Sequence, residues 1–580
     1  MHKLLQLLPY FRPYRRDLAI GVVCMLFSAV LALVNPQVIG QAIDRLRADV
    51  SPDTLVVYGL VLVAVALVQG VFQLFKRLVL VTMSRKIEFD LRNDFYDHLQ
   101  KLHPGFYHGY PTGDLMARAT NDLNAVRMLC GPAIMYGGNT IFVAAGALFF
   151  MLRIHVGLTL LALCSLPLVA IVTQVFGQRI HVLFERVQSS FSDLSTRVQE
   201  NLAGARVVRA YVQEEPERRA FRGLNRENVD RNRELIRWNA AFHPLIQALV
   251  GLGFAAVLGF GTRLILAGEI TLGEFVTFHL FLGKLVWPMI AIGWVINLAQ
   301  RGAASMGRIE EVLATEPEIR DRGPLVAVDA VRGSIRFRGL SHRHRQDRPA
   351  ALEGIDLEIP AGDALAVVGR TGSGKSTLLS LVPRLIDPGP GMLEVDGVDV
   401  HRMPLADLRG AIAMVPQETF LFSDSLRANI AFGSPEADED GIRRAASLAG
   451  LDQDLEGFPE GLDTVVGERG ITLSGGQKQR MALARALLRD PRILILDDCL
   501  SAVDAHTEET ILRNLRQVFR GRTVLMASHR IAAARLCDRI LVLEDGRAQA
   551  LGSHDELVAR PGIYADLDRR QRLEEQLAVV

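Results

Sequence analysis

The sequence Gly369-Arg370-Thr371-Gly372-Ser373-Gly374-Lys375-Ser376 decides the fold of the C-terminal half of this chain. The apolar segment 365–368 precedes it, and a helix is predicted to begin at Lys375. A strand, a glycine-rich loop of this spacing and a helix form a phosphate-binding loop, in which backbone N–H groups surround phosphate oxygens. We therefore predict that these residues, together with the next one, Thr377, bind ATP in an α/β domain with a largely parallel sheet.

The chemistry of such a site requires cations as well as backbone donors. Lys375 is predicted to reach the outer phosphates of ATP, and the Ser376 hydroxyl is predicted to ligate Mg2+. Farther along, the apolar segment 493–497 ends in Asp497, which is predicted to hold the same Mg2+ through water. A strand that ends in aspartate is common by itself, so the prediction for Asp497 depends on its pairing with the loop.

The N-terminal half carries six apolar stretches that are long enough to cross a bilayer, which takes about 20 helical residues. Stretches of this length rarely recur so often in one soluble protein, and a mean hydropathy of +0.21 agrees with a membrane location. We therefore predict six transmembrane helices rather than buried core helices. They cover residues 18–39, 55–75, 128–152, 156–178, 245–262 and 275–298.

Basic residues indicate the orientation of these helices. Lys3, Arg12, Arg15 and Arg16 precede the first stretch, and more basic residues follow the second. Lys and Arg are concentrated in cytoplasmic loops, so an even number of helices leaves both termini and the ATPase domain in the cytoplasm. The chain is expected to be a multi-pass protein of the inner (plasma) membrane. Its long polar loops, 77–127 and 179–239, are expected to extend into the cytosol as helices.

Changes in composition divide the 580 residues into a transmembrane domain, 1–302, a linker, 303–334, and an ATP-binding domain, 335–580. A net charge of +1, without a basic tail or an aromatic-basic surface, argues against nucleic acid as a partner. The five cysteines include no CxxC pair, which argues against a disulfide framework or a zinc site. Membrane lipid and a transported molecule are the partners that a membrane domain implies.

A second motif, Leu473-Ser474-Gly475-Gly476-Gln477, lies between the phosphate loop and Asp497. With this signature the chain resembles the ATP-binding cassette (ABC) superfamily, and more closely its exporters. Segments 112–123 and 200–215 resemble the inner loops of exporter membrane domains, and 466–470 resembles the loop through which the cassette touches them. The resemblance implies the type IV ABC exporter fold, a membrane all-α domain of six transmembrane helices followed by an α/β P-loop ATPase domain.

The same resemblance implies roles for four further residues. Gln417 resembles the Q-loop glutamine, which serves catalysis and ligates Mg2+, and His529 resembles the catalytic switch histidine. Asp504 resembles the D-loop aspartate, and Asp498 stands where the family has its catalytic glutamate. Without the resemblance, Gln417 and His529 would be ordinary polar residues at strand ends.

Two positions depart from the pattern of the family. Asp498 is one methylene shorter than glutamate, and a displacement of a catalytic group by about 1 Å can cost on the order of 100-fold in rate. The chain's own ATP site is therefore expected to be slow, although aspartate could also act as a weak base in a homodimer. His344 takes the place of the aromatic residue, usually tyrosine, that stacks on adenine, so weaker adenine binding is expected.

The resemblance also implies a second half-transporter. Members of the family close two cassettes head to tail, so Ser474 and Gly476 would contact the γ-phosphate of ATP bound by the opposite cassette. An intact signature beside Asp498 resembles the aspartate-variant subunit of bacterial heterodimeric multidrug-type exporters. The expected activity is ATP-driven export of amphipathic or hydrophobic molecules. A homodimeric lipid flippase is one alternative, and an ATP-gated channel or regulatory subunit is another.

Two residues of the last apolar stretch are candidates for the substrate pathway. Lys284 lies near the middle of this stretch and close to His279. A charge inside the membrane is costly unless it faces water or a partner. Alternatively, Lys284 extends its ammonium group to the membrane surface. The substrate class stays open, since small molecules, lipids and peptides all fit apolar cavities.

Overall fold

The computed structural model describes residues 6–48, 51–164, 166–328, 330–345, 349–467 and 473–578. The chain divides into two compact units, each made of two segments. The first unit comprises Met1–Asp97 and Gly113–Ala314, and the second comprises His98–Thr112 and Thr315–Val580. A short segment of the N-terminal half thus belongs to the C-terminal unit.

Helices alone build the N-terminal half within the described residues. The longest of them contain apolar stretches of about 20 residues, as a bilayer requires. In chain order they are α1 (Leu8–Phe11), α2 (Arg15–Ala48), α3 (Pro52–Lys101), α4 (Pro104–Gly109), α5 (Thr112–Ile154), α6 (Val156–Cys164), α7 (Leu166–Ala203), α8 (Ala205–Ala210), α9 (Glu214–Leu266) and α10 (Leu272–Leu313).

The predicted membrane stretches all fall on these helices. In the part of the chain that the structure describes, α2, α3, α5, α9 and α10 are long and apolar enough to span a membrane. The fourth predicted stretch, 156–178, falls on α6 and α7, which flank residue 165, a position outside the described residues. Helix α10 continues to Leu313, so the first part of the predicted linker is helical.

Helices α2 and α10 approach each other backbone to backbone. A Cβ atom on Gly273 would lie only 2.1 Å from the carbonyl oxygen of Gly40, so a larger residue there would force the helices apart. At the beginning of α10, Asp44 accepts hydrogen bonds from the Thr271 hydroxyl at 2.6 Å and from the Gly273 N–H at 2.8 Å. These contacts fix one end of α10 against α2.

The predicted inner-loop segment 112–123 forms the first turns of α5 and includes a π-helical turn, Arg118–Asp122. Both end residues of this turn are buried. The Asp122 carboxylate accepts a hydrogen bond from Arg308 Nε at 2.8 Å, and Arg118 pairs with Glu311 at 3.0 Å. Because buried charges must be paired, these contacts hold α5 against the last turns of α10.

The second unit contains two sheets. Its strands in the described residues are β1 (Ile335–His342), β2 (Leu352–Ile359), β3 (Ala364–Val368), β4 (Leu393–Val395), β5 (Val398–Asp399), β6 (Ile412–Val415), β7 (Ile493–Asp497), β8 (Thr523–Ala527), β9 (Arg539–Glu544) and β10 (Arg547–Gly552). The six-stranded sheet has the order β10-β9-β3-β8-β7-β6 and is parallel except for the β9–β10 pair, as predicted. A four-stranded antiparallel sheet, β2-β1-β4-β5, was not predicted.

Helices surround these sheets. They are α11 (Lys375–Leu381), α12 (Leu405–Gly410), α13 (Leu426–Ala431), α14 (Glu439–Leu448), α15 (Asp452–Gly457), α16 (Gly475–Leu488), α17 (Ala505–Val518), α18 (Ile531–Ala534), α19 (His554–Ala559) and α20 (Ile563–Ala578). Side chains of β3 alternate between two hydrophobic clusters, one on each face of the sheet. Strands buried on both faces are continuously apolar, which explains the uninterrupted apolar runs of β3, β7 and β8.

The order of the parallel strands places the functional loops. In an open parallel sheet, ligands bind beyond the carboxyl ends of the strands. Strands β3, β8, β7 and β6 are consecutive neighbours, and they are followed by the phosphate loop, His529, Asp498 and Gln417, respectively. The fold therefore brings four separate parts of the sequence to one edge.

Candidate functional site

A cavity of about 480 Å³ lies at this edge of the sheet. It gathers most of the predicted nucleotide-binding and catalytic residues, although they come from five separate segments of the chain. The lining consists of His344, Ala351, Gly369, Thr371, Gly372, Gly374, Lys375, Ser376, Thr377, Gln417, Asp497, Asp498 and His529. The other two predicted loop residues, Arg370 and Ser373, are joined by a backbone hydrogen bond of 3.2 Å.

Glycines give the phosphate loop its shape. Gly372 and Gly374 have φ angles of +84° and +99°, in the left-handed region that glycine adopts without strain. A Cβ atom on Gly374 would also lie 2.5 Å from the Ala351 carbonyl oxygen. The loop therefore needs glycine at this position for two independent reasons, and α11 begins at the next residue, Lys375.

The ammonium group of Lys375 is held inside the loop. Its Nζ donates hydrogen bonds to the carbonyl oxygens of Gly369 at 2.7 Å and Arg370 at 2.9 Å. Burial lowers the pKa of Lys375 below its usual value, although the nearby carboxylates of Asp498 and Asp497 oppose this shift. The cation is thus preorganised at the loop, next to the carboxylates that follow β7.

Oxygen donors suited to Mg2+ meet in the same cavity. Asp497 is buried, and the Ser376 side chain lies beside its carboxylate. Burial raises the pKa of Asp497, Asp498 raises it further, and the Ser376 side chain opposes both effects. Gln417 adds an amide to the lining. One carboxylate and a few neutral oxygens are the usual protein ligands of Mg2+ that also binds nucleotide phosphates, so these residues fit the ion.

Asp498 and His529 form a close pair at the end of β7 and β8. His529 Nδ1 lies 3.0 Å from Asp498 Oδ1. Asp498 has φ +48°, a left-handed conformation that aspartate tolerates better than most residues. The side chain of Asp498 is 16% exposed and that of His529 is 54% exposed, so the carboxylate is the more buried member of the pair.

His344 lies beside the phosphate loop, where an adenine-stacking residue is expected. Its Nε2 is 3.1 Å from the Thr377 hydroxyl. The ring also meets the ring of His342 edge to face, with centroids 4.9 Å apart. The structure therefore brings His344 to the predicted place, and its ring is exposed toward the cavity.

The signature residues do not line this cavity. Ser474 caps α16 instead: its hydroxyl accepts from the Gln477 N–H at 3.2 Å, and Gln477 Oε1 accepts from the Ser474 N–H at 2.8 Å. Leu473 is buried just before the cap, whereas Ser474 and Gly475 are exposed. The chain thus presents its signature on a surface apart from its own phosphate loop.

The signature helix is tied to the segment that precedes α17. A Cβ atom on Gly476 would lie 2.7 Å from the Ala502 carbonyl oxygen, so only glycine fits. Gln479 donates to Ser501 Oγ at 2.8 Å and accepts from the Ala502 N–H at 2.9 Å. Asp504, two residues after Ala502, caps α17: its side chain accepts a hydrogen bond from the Thr507 N–H at 3.0 Å.

Two predicted segments are only partly placed. In segment 466–470, residues 468–470 lie outside the described residues, and Val466 is buried.

In the membrane half, His279 packs against aromatic rings of its own unit. The centroid of its ring lies 4.7 Å from that of Phe275 and 5.5 Å from that of Phe254. Lys284 is half-buried. Five residues apart on a helix, the two side chains point about 140° apart, so they do not share a face.

The sequence did not indicate two residues that hold the loop of His529. Arg530 pairs with Glu508 and donates to the Ser501 carbonyl oxygen at 3.3 Å. Gln571, on α20, contacts the backbone of His529. Arg530 could have been found from its place beside His529, whereas Gln571 lies 42 residues farther along and carries no motif.

Comparisons with known proteins agree with this geometry. Residues 18–289 match the family model of the ABC transporter transmembrane region, and residues 352–501 match that of the ABC transporter. The second match covers the phosphate loop, the signature and Asp498.

Similar proteins cover nearly the whole chain. It is 37% identical over 570 residues, 97% of both chains, to the probable multidrug resistance ABC transporter ATP-binding/permease protein YheI of Bacillus subtilis (strain 168). It is 33% identical over 572 residues, 99% of this chain and 95% of the relative, to the ATP-dependent lipid A-core flippase of Syntrophus aciditrophicus (strain SB). The solved structure of a bacterial Atm1-family ABC exporter with ATP bound matches with a TM-score of 0.78 at 26% identity, covering 96% of this chain and 98% of that one.

Proposed function

This chain belongs to the ABC transporter family, and on that premise we propose that it is one half of a heterodimeric exporter with one slow ATP site. It is an ATP-hydrolysing membrane transporter of the multidrug or lipid-flippase type. The proposed cargo is an amphipathic or hydrophobic molecule that crosses by alternating access. Both termini and the ATPase domain are proposed to lie in the cytoplasm, because basic residues flank the inner ends of the helices.

The observation that carries the two-cassette part of this proposal is the separation of two half-sites within one chain, and Asp498 carries the proposed asymmetry. The cavity contains the phosphate loop, Asp497, Asp498 and His529, whereas Ser474 and its neighbours lie apart from it. A phosphoryl group in transfer needs donors on several sides. A second cassette that brings its own signature would supply the missing donors, and Ser474 and Gly476 would do the same for that cassette.

The residues of the cavity have definite tasks in this proposal. Lys375 would exchange its bonds to loop carbonyls for the outer phosphates of ATP. Ser376, Asp497 and Gln417 would hold Mg2+, which neutralises charge on the phosphate oxygens when bound. His344 would stack on adenine. Phosphoryl transfer is governed by positioning and electrostatics, so each of these contacts is expected to matter through geometry.

Asp498 is the residue that makes the site slow in this account. A general base must reach the proton that it takes, and its reach is set by side-chain length. The carboxylate of Asp498 is one methylene shorter than glutamate and already lies 3.0 Å from the His529 ring. Water on the γ-phosphate side would therefore be held less well. The intact signature would let the chain assist hydrolysis at the partner's site.

A homodimeric lipid flippase is the second candidate, and the similarity to the lipid A-core flippase of Syntrophus aciditrophicus (strain SB) favours it. An ATP-gated channel or a regulatory subunit would conduct without moving its substrate against a gradient. Each of these functions needs two cassettes, so the composition of the dimer is the quantity to measure.

Purification of the tagged chain from its native membrane, followed by mass spectrometry, tests the heterodimer. We expect a second half-transporter in equal amount, with glutamate after its own strand-end aspartate. The tagged chain expressed alone is the control and should hydrolyse ATP slowly. Brisk turnover by the chain alone, with no second half-transporter in the native complex, would establish the homodimer instead.

A further inference from the structure

The C-terminal helix α20 contacts the loop that carries the switch histidine through one side chain. Gln571 Nε2 donates a hydrogen bond to the His529 carbonyl oxygen at 2.6 Å. The Ile531 N–H donates to Gln571 Oε1 at 2.8 Å. One amide thus binds the backbone on both sides of a single residue, Arg530.

We propose that Gln571 is a positioning residue that sets the His529 side chain against nucleotide in the chain's own site. The proposal rests on the function proposed above and adds that His529, which lines the same cavity, contacts the bound ATP. A carboxamide has both a donor and an acceptor, and both are used here. Glutamate could keep only the bond to Ile531, and an apolar side chain would keep neither.

The helix that carries Gln571 is itself firmly anchored. Tyr564 is 2% exposed, and its hydroxyl lies 2.8 Å from His554 Nδ1 of α19. Asp568, one turn before Gln571, is also buried, so this part of α20 packs against the domain. Two turns separate Tyr564 from Gln571, so the amide is presented from a fixed helix rather than from a free end. The anchoring makes α20 a rigid support for the loop.

The opposite side of the loop is held by Arg530. Its guanidinium pairs with Glu508 of α17 and donates to the Ser501 carbonyl oxygen at 3.3 Å. The loop is therefore fixed from two sides, by α17 and by α20. His529, directly before Arg530, is one of the attached residues, and its ring nitrogen Nδ1 lies 3.0 Å from Asp498 Oδ1.

Removal of the amide should displace His529 without unfolding the domain. The loop would keep Arg530 and the short helix α18, but the carbonyl of His529 would lose its donor. Because a shift of about 1 Å in a catalytic group can cost on the order of 100-fold, the loss of one such support should be measurable. Two hydrogen bonds of ordinary strength correspond to about a tenfold effect.

The test measures how long this subunit retains ATP. The complete transporter is loaded with radiolabelled 8-azido-ATP and Mg2+, diluted into unlabelled ATP, and photo-crosslinked at intervals, and the label in this subunit is counted after electrophoresis. Gln571→Met should shorten retention about tenfold, with Gln571→Glu intermediate. The matched control is Gln576→Met, an exposed glutamine on the same helix, and it should retain label like the wild type.

A double variant separates positioning from a general loss of stability. In the His529→Ala background, which should itself release label early, Gln571→Met should change retention no further, because the side chain through which it acts is gone. Additive effects, or unchanged retention in Gln571→Met, would overturn the inference. Lys375→Ala tests the proposed ATP site itself. If neither Lys375→Ala nor Gln571→Met shortens retention of the label, the proposed ATP site is wrong. If Lys375→Ala alone shortens it, only the role of Gln571 is wrong.

Discussion

His529 Nδ1 lies 3.0 Å from Asp498 Oδ1, so the carboxylate that follows β7 already has a partner within its own chain. The backbone of Asp498 takes φ +48°, in the left-handed region. We expect the contact with His529 to compete with binding of the attacking water, which would slow the site.

Lengthening the side chain should speed the site. Asp498→Glu adds one methylene and should raise ATP turnover at this chain's own site by up to about 100-fold, measured as steady-state turnover of the purified transporter, because a displacement near 1 Å can cost that much. Asp545→Glu is the matched control, since Asp545 has the same φ of +48° but lies exposed in a turn. Unchanged turnover in Asp498→Glu, with stability like that of the control, would contradict the view that reach limits the site.

Loss of the loop cation should weaken nucleotide binding. In Lys375→Ala the phosphates lose their main side-chain cation, and MgATP affinity at this chain's site should fall by at least tenfold, since hydrogen bonds to charged groups contribute about 1.5 to 3 kcal/mol. Photo-crosslinking of this subunit over a range of ATP concentrations measures the change. Lys101→Ala, which removes an exposed lysine at the end of α3, should bind like the wild type. Equal affinity in both variants would remove Lys375 from the site.

Local patterns in the sequence predicted the elements at the cavity edge of the six-stranded sheet well. The phosphate loop, the strand that ends at Asp497 and the helix that begins at Lys375 lie where expected, because each depends on a few adjacent residues. The six-stranded sheet followed from alternation of strands and helices. The predicted membrane stretches likewise lie on helices, because about 20 consecutive apolar residues are typical of a membrane-spanning helix.

Contacts between distant residues could not be predicted in the same way. The amide of Gln571 meets His529 across 42 residues, and no period or motif links the two. The π-helical turn at Arg118–Asp122 depends on pairing with α10, which is almost two hundred residues away in the chain. The antiparallel sheet consists partly of strands of two and three residues, which are too short to show alternation.

The buried pair between α5 and α10 should stabilise the membrane unit in a pH-dependent manner. Burial alone would raise the pKa of Asp122, but hydrogen bonds from Arg308 and Ser305 outweigh this effect and lower it. A lowered pKa in the folded state adds stability above the unfolded value, near 4, and this stability is lost as the pH falls through the folded value. Asp122→Asn should therefore lower the midpoint of thermal unfolding at pH 7.

The size and control of this effect follow from exposure. Arg308 is 49% exposed, so Asp122→Asn should lower the free energy of unfolding by only about 1 to 2 kcal/mol. The difference from wild type should shrink below about pH 4. Asp114→Asn is the matched control: Asp114 is 43% exposed and pairs with Arg118 on the same helix, so its loss should cost less. Equal shifts in both variants, or a difference independent of pH, would show that the buried pair contributes little.

Lys284 should influence which substrates are moved. It is half-buried on α10, one turn from Trp287, which is 57% exposed, and one turn from Phe281, which is fully buried, so it lies at the edge of the buried face of this helix. Lys284→Met keeps the length but removes the charge, and should change the relative transport of cationic and neutral compounds by several-fold while basal ATPase activity stays within a few-fold. Transport assays in inverted vesicles measure this. An unaltered substrate preference would support a purely structural lysine.

We expect this chain to contribute more to its partner's ATP site than to its own. Two variants separate these contributions. Asp498→Asn removes the carboxylate of the slow site, whereas Ser474→Ala removes the hydroxyl that would contact the γ-phosphate in the opposite site. Ser553→Ala controls for helix capping, because Ser553 forms the same type of capping box on α19 and lies outside the signature.

The deciding measurement is the steady-state ATPase rate of the purified complex for these three variants. We expect Asp498→Asn and Ser553→Ala to stay within about twofold of the wild type. Ser474→Ala should lose about 100-fold, as is typical when a preorganised donor to a reacting group is removed. If Asp498→Asn instead abolishes turnover as fully as Ser474→Ala does, this chain hydrolyses ATP at its own site, and the asymmetric account is wrong.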